Sequence, residues 1–440
     1  MSLNQTNISE ILKTQNFDEL NPMQKEVIAL DFATKDIILL SPTGSGKTIA
    51  YLIRLIEELK PDLKEVQALI ISPARELVIQ IETVFKSLKT GYSSCVCYGG
   101  HNSRIEQNRL AENPDVIIAT PGRLADHFFN QRIDTKGIRI IILDEFDKSL
   151  EMGFHKDLEF IYKQINQSPK QILTSATNLE DLPDFLKIKQ VTKINYLKEI
   201  NTVKLSLQVL HTPAEEKVEY LLNLVAGFNN EICIVFCNHR EAVERIRRSF
   251  SQFGFSHGIF HGAMEQIDRE RNLIKFRSGA CTVLISTDLA ARGLDIPEVK
   301  HVVHYQLPIH EEAFIHRNGR TARMHAEGDS YLILGNDESL PRYLNEKIPS
   351  IKLTKQFALP KQPQFECIYF SAGKKEKISK GDLVGLILKK GGLDNSEIGL
   401  ITILDHSSYV AVNRKKIHSL LKSLSGEKLK KSKVKIEIAR

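Results

Sequence analysis

The chain has 440 residues, 42% of them hydrophobic and 26% charged, with a net charge of +6. That length exceeds one ordinary core and predicts two or three domains. No apolar run approaches the roughly eighteen residues of a membrane helix, and the opening MSLNQTNISE lacks the basic-then-apolar layout of a signal peptide, so a cytoplasmic globular protein is expected, without a membrane partner. The charge is uneven: residues 361–440 hold 17 Lys and Arg against 8 Asp and Glu, while the preceding residues are slightly acidic. A basic tail on a nearly neutral body points to a tether for a polyanion. The six cysteines lie mostly in apolar runs without CxxC or metal-ligand spacing, and packed, reduced thiols are expected.

From Asp36 onward short apolar runs alternate with longer amphipathic stretches. DIILL (36–40), ALIIS (68–72), SCVCY (94–98), DVIIAT (115–120), IRIIIL (138–143) and QILTSAT (171–177) read as strands. Continuous Ile, Leu and Val imply burial on both faces, hence a parallel α/β sheet. ICIVFC (232–237), SHGIFHG (256–262), CTVLIST (281–287), HVVHYQL (301–307) and SYLILG (330–335) repeat the layout, giving a second α/β lobe joined to the first near 189–204. The Pro-containing KLTKQFALPKQPQ reads as a linker, and the segments after it give the order βαββαβ of a small ferredoxin-like module.

The sharpest chemical signal is SPTGSGKT, Ser41 to Thr48, between a strand and a helix. Gly44 and Gly46 let the backbone curl so that N–H groups face phosphate oxygens, and the helix N-terminus adds its positive dipole end. Lys47 can reach the β/γ-phosphates and the Thr48 hydroxyl can bind Mg²⁺. Asp144, at the end of the 138–143 run, suits the same ion through its waters, and Glu145 can orient and deprotonate an attacking water. Asp147 completes the acidic cluster. In HRNGRTAR, Arg320 and Arg323 stand one helical turn apart and suit an arginine finger.

LNPMQ (20–24), SPTGSGKT, PARELVIQ (73–80), Gly99-Gly100, TPGRL (120–124), DEFD (144–147), TSAT (174–177), IVFCN (234–238), QIDR (266–269), STDLAARGLDIP (286–297) and HRNGRTAR follow one another in an order that resembles the DEAD-box ATP-dependent RNA helicases. The tail, through GDLVGLI, IGLITILD and SYVAV, is similar to the bacterial DbpA subfamily, whose RNA-recognition-type domain binds a hairpin of large-subunit ribosomal RNA. The resemblance implies a RecA-like lobe over 1–195, a second over 196–350, a linker at 351–363 and an RRM-like domain over 364–440. It implies ATP as fuel, with Mg²⁺, and structured RNA as partner, in large-subunit rRNA or a pre-ribosomal particle, handled by a monomer.

Residue by residue, the resemblance implies that Gln24 recognises adenine beneath Phe17, and that Thr43, Gly44, Ser45, Gly46, Lys47 and Thr48 hold the phosphates. Ser175 and Thr177, with Asp147, would couple hydrolysis to lobe movement. Gly293 and Asp295 would meet the nucleotide from the second lobe. Pro73, Arg75, Gly100, Thr120, Arg123, Gln266, Arg269, Thr287 and Arg292 would grip the RNA backbone without reading sequence. In the tail, Lys374, Lys375, Lys377, Arg414, Lys415 and Lys416 offer a basic RNA surface, and Tyr369, Phe370 and Tyr409 are open between base stacking and packing.

The chain departs from the family pattern at Asn21, Ser41, Ala74 and Phe146. Alternation along an extended segment would turn Phe146 away from its neighbours and behind the sheet, leaving hydrolysis intact. The same motifs would serve an ATP-gated RNA clamp or annealing factor, and strand separation coupled to hydrolysis distinguishes the two. A DNA translocase fits less well with LNPMQ and the RNA-type tail.

Overall fold

A computed structural model describes residues 19–440 apart from 31, 33–35, 43, 101–102, 166–167, 179–180, 189, 198–204, 289–295, 297–298, 322–327, 345–346, 354–360, 431 and 440. The chain divides into two compact units at 202–203.

In the first unit, β1 (Asp36–Leu40), β2 (Ala68–Ile71), β3 (Ser94–Cys97), β4 (Val116–Ala119), β5 (Ile140–Leu143), β6 (Lys170–Ser175) and β7 (Val191–Asn195) form a parallel sheet in the order β3-β4-β2-β5-β6-β1-β7. Successive side chains on a strand point to opposite faces, so each unbroken apolar run feeds two cores. Ile37, Leu39, Ile70, Ile118 and Ile142 pack beneath the helices Pro22–Ala29, Lys47–Glu58 and Arg75–Ser87. Their sequence neighbours Ile38, Leu69, Ile117 and Ile141 face the helices Pro121–Phe129 and His155–Gln164.

The second unit repeats the design. Strands β8 (Leu205–Thr212), β9 (Cys233–Phe236), β10 (His257–Phe260), β11 (Val283–Ser286), β12 (His301–His304), β13 (Gly328–Gly335) and β14 (Ser350–Ile351) pair in parallel as β10-β11-β9-β12-β13-β8-β14. Counted from its own first strand, that is the order of the first sheet. Strands β7, β8 and β14 are absent from the hydrophobic pattern of the sequence. The physical reason is position: β7 and β14 are edge strands, and β8 mixes Ser, Gln, His and Thr with its apolar residues because half of it is only partly covered.

The tail of the second unit folds as β15 (Phe365–Phe370), helix Lys380–Gly391, β16 (Ile398–Ile403), β17 (Ser408–Asn413), helix Ile417–Ser423, a short hairpin of β18 (Lys428–Leu429) and β19 (Ser432–Lys433), and β20 (Ile436–Ile438). Its sheet is antiparallel in the order β16-β17-β15-β20. One face carries Ile368, Phe370, Val410 and Val412 under the two helices. The opposite face, with Cys367, Tyr409 and the partly buried Tyr369, packs on Ile274 and Ala280 of the second lobe.

That contact decides between the two readings left open for the tail aromatics and gives Arg414 a structural part. Tyr409 is 2% exposed and Phe370 is fully buried, so both are packing residues; Tyr369 meets Tyr409 edge-on with ring centroids 5.5 Å apart. Arg414 is a structural tie. Its guanidinium donates to the carbonyls of Pro363 (2.9 Å), Phe365 (3.0 Å) and Ala280 (2.9 Å) and pairs with Glu366 at 2.6 Å, joining the tail domain to the second lobe. Charge-assisted hydrogen bonds of this kind are worth about 1.5–3 kcal/mol each. Arg414→Ala is expected to speed amide hydrogen exchange in β15 and β17 by roughly tenfold or more. Unchanged protection there would show that the tie carries no stability.

Candidate functional site

The ends of β1, β5 and β6, which are neighbours in the first sheet, bring one set of sequence motifs together. Beyond β1, the Ser41 N–H donates to the Ser175 carbonyl at 3.0 Å and fixes the loop to β6. Gly44 and Gly46 have φ of +85° and +88°, and a Cβ at Gly46 would stand 2.4 Å from the Gln24 side-chain nitrogen. Only glycine satisfies both the dihedral and the approach. The helix Lys47–Glu58 begins without a side-chain cap, and a helix N-terminus attracts anions through its dipole and N–H groups. Lys47 Nζ donates to the Ser41 and Pro42 carbonyls, the latter at 2.9 Å, so its ammonium is held over the loop where phosphate oxygens would compete for it.

Asn21 and Gln24 anchor this loop from the helix Pro22–Ala29. They form a reciprocal cap at 2.9 and 3.0 Å, and their amides donate to the Ser45 carbonyl (2.9 Å) and the Gly46 carbonyl (3.2 Å). Asn21 thus keeps the capping role and adds a donor to the loop. The Gln24 side chain accepts one hydrogen bond through its oxygen and donates one through its nitrogen. Ser41 Oγ bonds Ser45 Oγ inside the same loop.

Asp144 and Glu145 leave the end of β5 buried, at 5% and 8% exposure. Thr174, quoted within TSAT but given no role there, holds both: its hydroxyl donates to Asp144 Oδ1 at 2.7 Å and accepts the Glu145 N–H at 3.2 Å. Burial raises the Asp144 pKa above the ordinary carboxylate range, against the Thr174 hydrogen bond and the nearby Lys47 charge. Thr177 Oγ1 donates to Asp147 Oδ2 at 2.9 Å, and Ser175 Oγ accepts the Thr177 N–H at 3.0 Å, so the 174–177 turn touches all three acids, Glu145 through its backbone N–H. Phe146 is fully buried among Leu143, Leu158 and Leu173. The segment is not extended, however: Glu145 is left-handed (φ +47°) and Phe146 opens the helix Phe146–Glu151, so a turn and not alternation buries the ring. A left-handed non-glycine residue costs about 1–3 kcal/mol, strain held here beside the acids.

The ends of β2, β3 and β4 gather the second set. Pro73 is buried after β2, and Arg75 lies against Gly99 and Gly100, where a Cβ on Gly100 would meet its guanidinium at 2.3 Å. The Thr120 N–H donates to the Cys97 carbonyl (3.0 Å) and precedes the helix Pro121–Phe129. Arg123 Nε donates to Glu106 Oε2 at 2.7 Å, which also meets His127 Nε2 at 2.8 Å. Burial would raise the Glu106 carboxyl, but the His127 and Arg123 hydrogen bonds outweigh it and hold the pKa below its ordinary value. Glu106 carried no sequence signal because its partners come from another helix.

In the second unit, Gln266 and Arg269 open the helix Gln266–Arg277, with Arg269 buried, and the Thr287 N–H donates to the Phe260 carbonyl at 3.2 Å. Arg317 staples that lobe: it pairs with Asp288 and donates to the Gln306 carbonyl and Asn238 over the Phe236 ring. Arg320 is buried just beyond the helix Glu311–Asn318. Phe17, Thr43, Arg292, Gly293, Asp295 and Arg323 lie outside the described residues. In the tail, Lys374, Lys375, Lys377 and Lys415 are exposed, while Lys416 pairs with Glu397 at 2.7 Å. Among the described residues no helix is long and apolar enough to cross a membrane.

Comparison with known proteins matches residues 21–185 to the DEAD/DEAH box helicase family, 216–325 to the helicase conserved C-terminal domain and 367–438 to the DbpA RNA binding domain. The chain is 28% identical to ATP-dependent RNA helicase DbpA of Bacillus subtilis (strain 168), over 98% of this chain and 97% of that one. It is 31% identical to ATP-dependent RNA helicase CshA of Limosilactobacillus reuteri, over 80% and 71% of the two chains. Among solved structures it resembles Mss116p (NTE and C-tail double deletion) bound to ssRNA and AMP-PNP, with a TM-score of 0.67 and 25% identity over 76% of this chain and 73% of that one.

The raised pKa of Asp144 fixes a sign. The ligand-free fold holds the Asp144 proton more tightly than the unfolded chain does. Its ionisation is therefore a penalty, full above the raised pKa and absent once the pH falls below the ordinary unfolded value. Asp144→Asn is expected to raise the Tm of the ligand-free protein near neutral pH, with the gain shrinking as the buffer is made acidic. A Tm lowered at neutral pH would contradict the assignment.

Proposed function

The chain belongs to the DEAD-box family of ATP-dependent RNA helicases, and from that premise we propose that it couples ATP hydrolysis to local unwinding of structured RNA, with large-subunit ribosomal RNA during assembly as its target. The observation that supports this most is the meeting of three strand ends, where a phosphate loop, Asp144, Glu145 and Thr174 converge within one lobe. In this reading Gln24 binds adenine and Gly44 to Thr48 cradle the phosphates. Glu145 orients and deprotonates the attacking water, and Ser175, Thr177 and Asp147 report the state of the site to the rest of the lobe. Thr48 and Asp144 offer hard oxygen donors of the kind Mg²⁺ takes, and they are the residues that would hold it. The ion would supply charge neutralisation at the phosphates.

The other half of the same sheet edge, at Pro73, Arg75, Gly100, Thr120 and Arg123, serves the RNA backbone, joined by Gln266, Arg269, Thr287 and Arg292 from the second lobe. Arg320 and Arg323 act on the γ-phosphate. If ATP and RNA each favour one arrangement of the lobes, each assists the other by linkage. In the tail the sheet face is packed and Arg414 is engaged, so RNA recognition rests on the exposed Lys374, Lys375, Lys377 and Lys415. The match to the DbpA RNA binding domain supports RNA as the ligand of the tail; ribosomal RNA as the target rests on the resemblance carried by the tail sequence.

Glu145→Gln is expected to bind ATP and RNA while turnover falls by about 10²–10⁴, the usual worth of a general base; near-normal turnover would remove Glu145 from that role. A second test compares ATPase rates, at matched salt, with a large-subunit rRNA fragment containing the hairpin, the same fragment with that hairpin scrambled, and an unstructured RNA. Preferential stimulation by the first is expected. Equal stimulation by all three would demote the tail to a general RNA grip, and hydrolysis without strand separation would favour the clamp.

A further inference from the structure

Two cysteines, a carboxylate and an imidazole converge under the sheet of the first unit, apart from the nucleotide groups. Cys95 and Cys97 sit two apart on β3, which turns both sulfurs to the same face. The helices Ser103–Leu110 and Pro121–Phe129 bring Glu106 and His127 to them. All four side chains are essentially without solvent contact. The sulfurs are 3.9 Å apart, Glu106 Oε2 and His127 Nε2 are 2.8 Å apart, and the ligating atoms of Cys97, Glu106 and His127 lie within 4.8 Å of one another.

We propose that Cys97, Glu106 and His127 hold a thiophilic dication of the Zn²⁺ class, and that Cys95, which lies against Cys97 but outside that three-residue cluster, turns in on loading as the fourth, tetrahedral ligand. Two of the ligand separations can be set against the bond lengths of zinc. Zinc with sulfur at about 2.3 Å and nitrogen or oxygen at about 2.0 Å sets two sulfurs about 3.8 Å apart and a nitrogen about 3.3 Å from an oxygen. The sulfur pair already has that spacing, and the carboxylate and imidazole need to part by only about 0.5 Å. A disulfide is the poorer product, because parallel side chains two apart on one strand hold their Cα atoms near the outer limit of about 6.8 Å.

Charge closes as well. Two thiolates and one carboxylate are balanced by the dication and the Arg123 guanidinium, which already donates to Glu106 and would orient it as a ligand. Loading releases the two thiol protons and moves the imidazole proton from Nε2 to Nδ1. Nδ1–H would then face the Arg132 guanidinium, 3.4 Å away and itself only a donor, so loading also requires Arg132 to turn from Nδ1 toward Asp126, its partner at 3.2 Å. The consequence lies one residue layer away: Glu106 sets the position of Arg123, so occupancy of the site sets a side chain at the end of β4. This consequence rests on the proposed RNA role of Arg123; the site itself does not.

The test uses the full, reduced, metal-free chain and Co²⁺ as probe. Titration is expected to give the intense visible bands of tetrahedral cobalt with a sulfur charge-transfer band, saturating at a single equivalent and bleached by Zn²⁺. Cys97→Ala should lose them, and Cys233→Ala, altered in the core of the other unit, should keep them. A weak octahedral spectrum from the unaltered protein, or a tetrahedral one that survives Cys97→Ala, overturns the proposal. The unaltered chain alone can decide the matter if Cys97→Ala does not fold.

Discussion

One hydroxyl ties the acidic site together. Thr174 gives its proton to Asp144 and takes the Glu145 N–H, so the two acids are fixed relative to each other and to β6. This is possible only because β5 and β6 pair in parallel register, Leu143 beside Leu173, which sets Asp144 beside Thr174 at the next step. The same register continues into β1, where Leu40 stands beside Ser175 and the phosphate loop departs. A slip of one residue would turn Thr174 to the other face and separate the loop from its acids.

The order of the strands then divides the labour. In β3-β4-β2-β5-β6-β1-β7, the right-hand neighbours β5, β6 and β1 end in the phosphate loop and the acids, while β3, β4 and β2 end in Gly100, Thr120 and Pro73. Parallel strands present all their carboxyl ends at one edge, the place where open α/β sheets take ligands. One sheet edge thus carries two adjacent groups of side chains, and the β2–β5 pairing is the seam between them. The second lobe has the same strand order, and its sequence carries no counterpart of SPTGSGKT.

What the sequence disclosed follows from the physics of each feature. Interior strands such as IIIL at 140–143 must be apolar on both faces, and the phosphate loop must carry glycines at positive φ, so both were legible. Edge strands such as Val191–Asn195 need cover on only one side and blend into the connecting segments. Thr174, Glu106 and Arg414 act through partners 30 or fewer, 17 to 21 and as many as 134 residues away, separations that no local pattern records. Tyr409 has the composition of a stacking residue and the location of a core residue; only the packing of its face on Ile274 and Ala280 tells them apart.

The most direct measurement is steady-state ATP turnover of Thr174→Val at saturating RNA, with nucleotide binding measured beside it. The substitution keeps the shape of the side chain and removes both hydrogen bonds. Turnover should fall roughly 10- to 100-fold, the worth of hydrogen bonds to a charged group, while ATP affinity changes little. A folded Thr174→Val protein that hydrolyses ATP at the unaltered rate would show that the acids are held by something other than this hydroxyl.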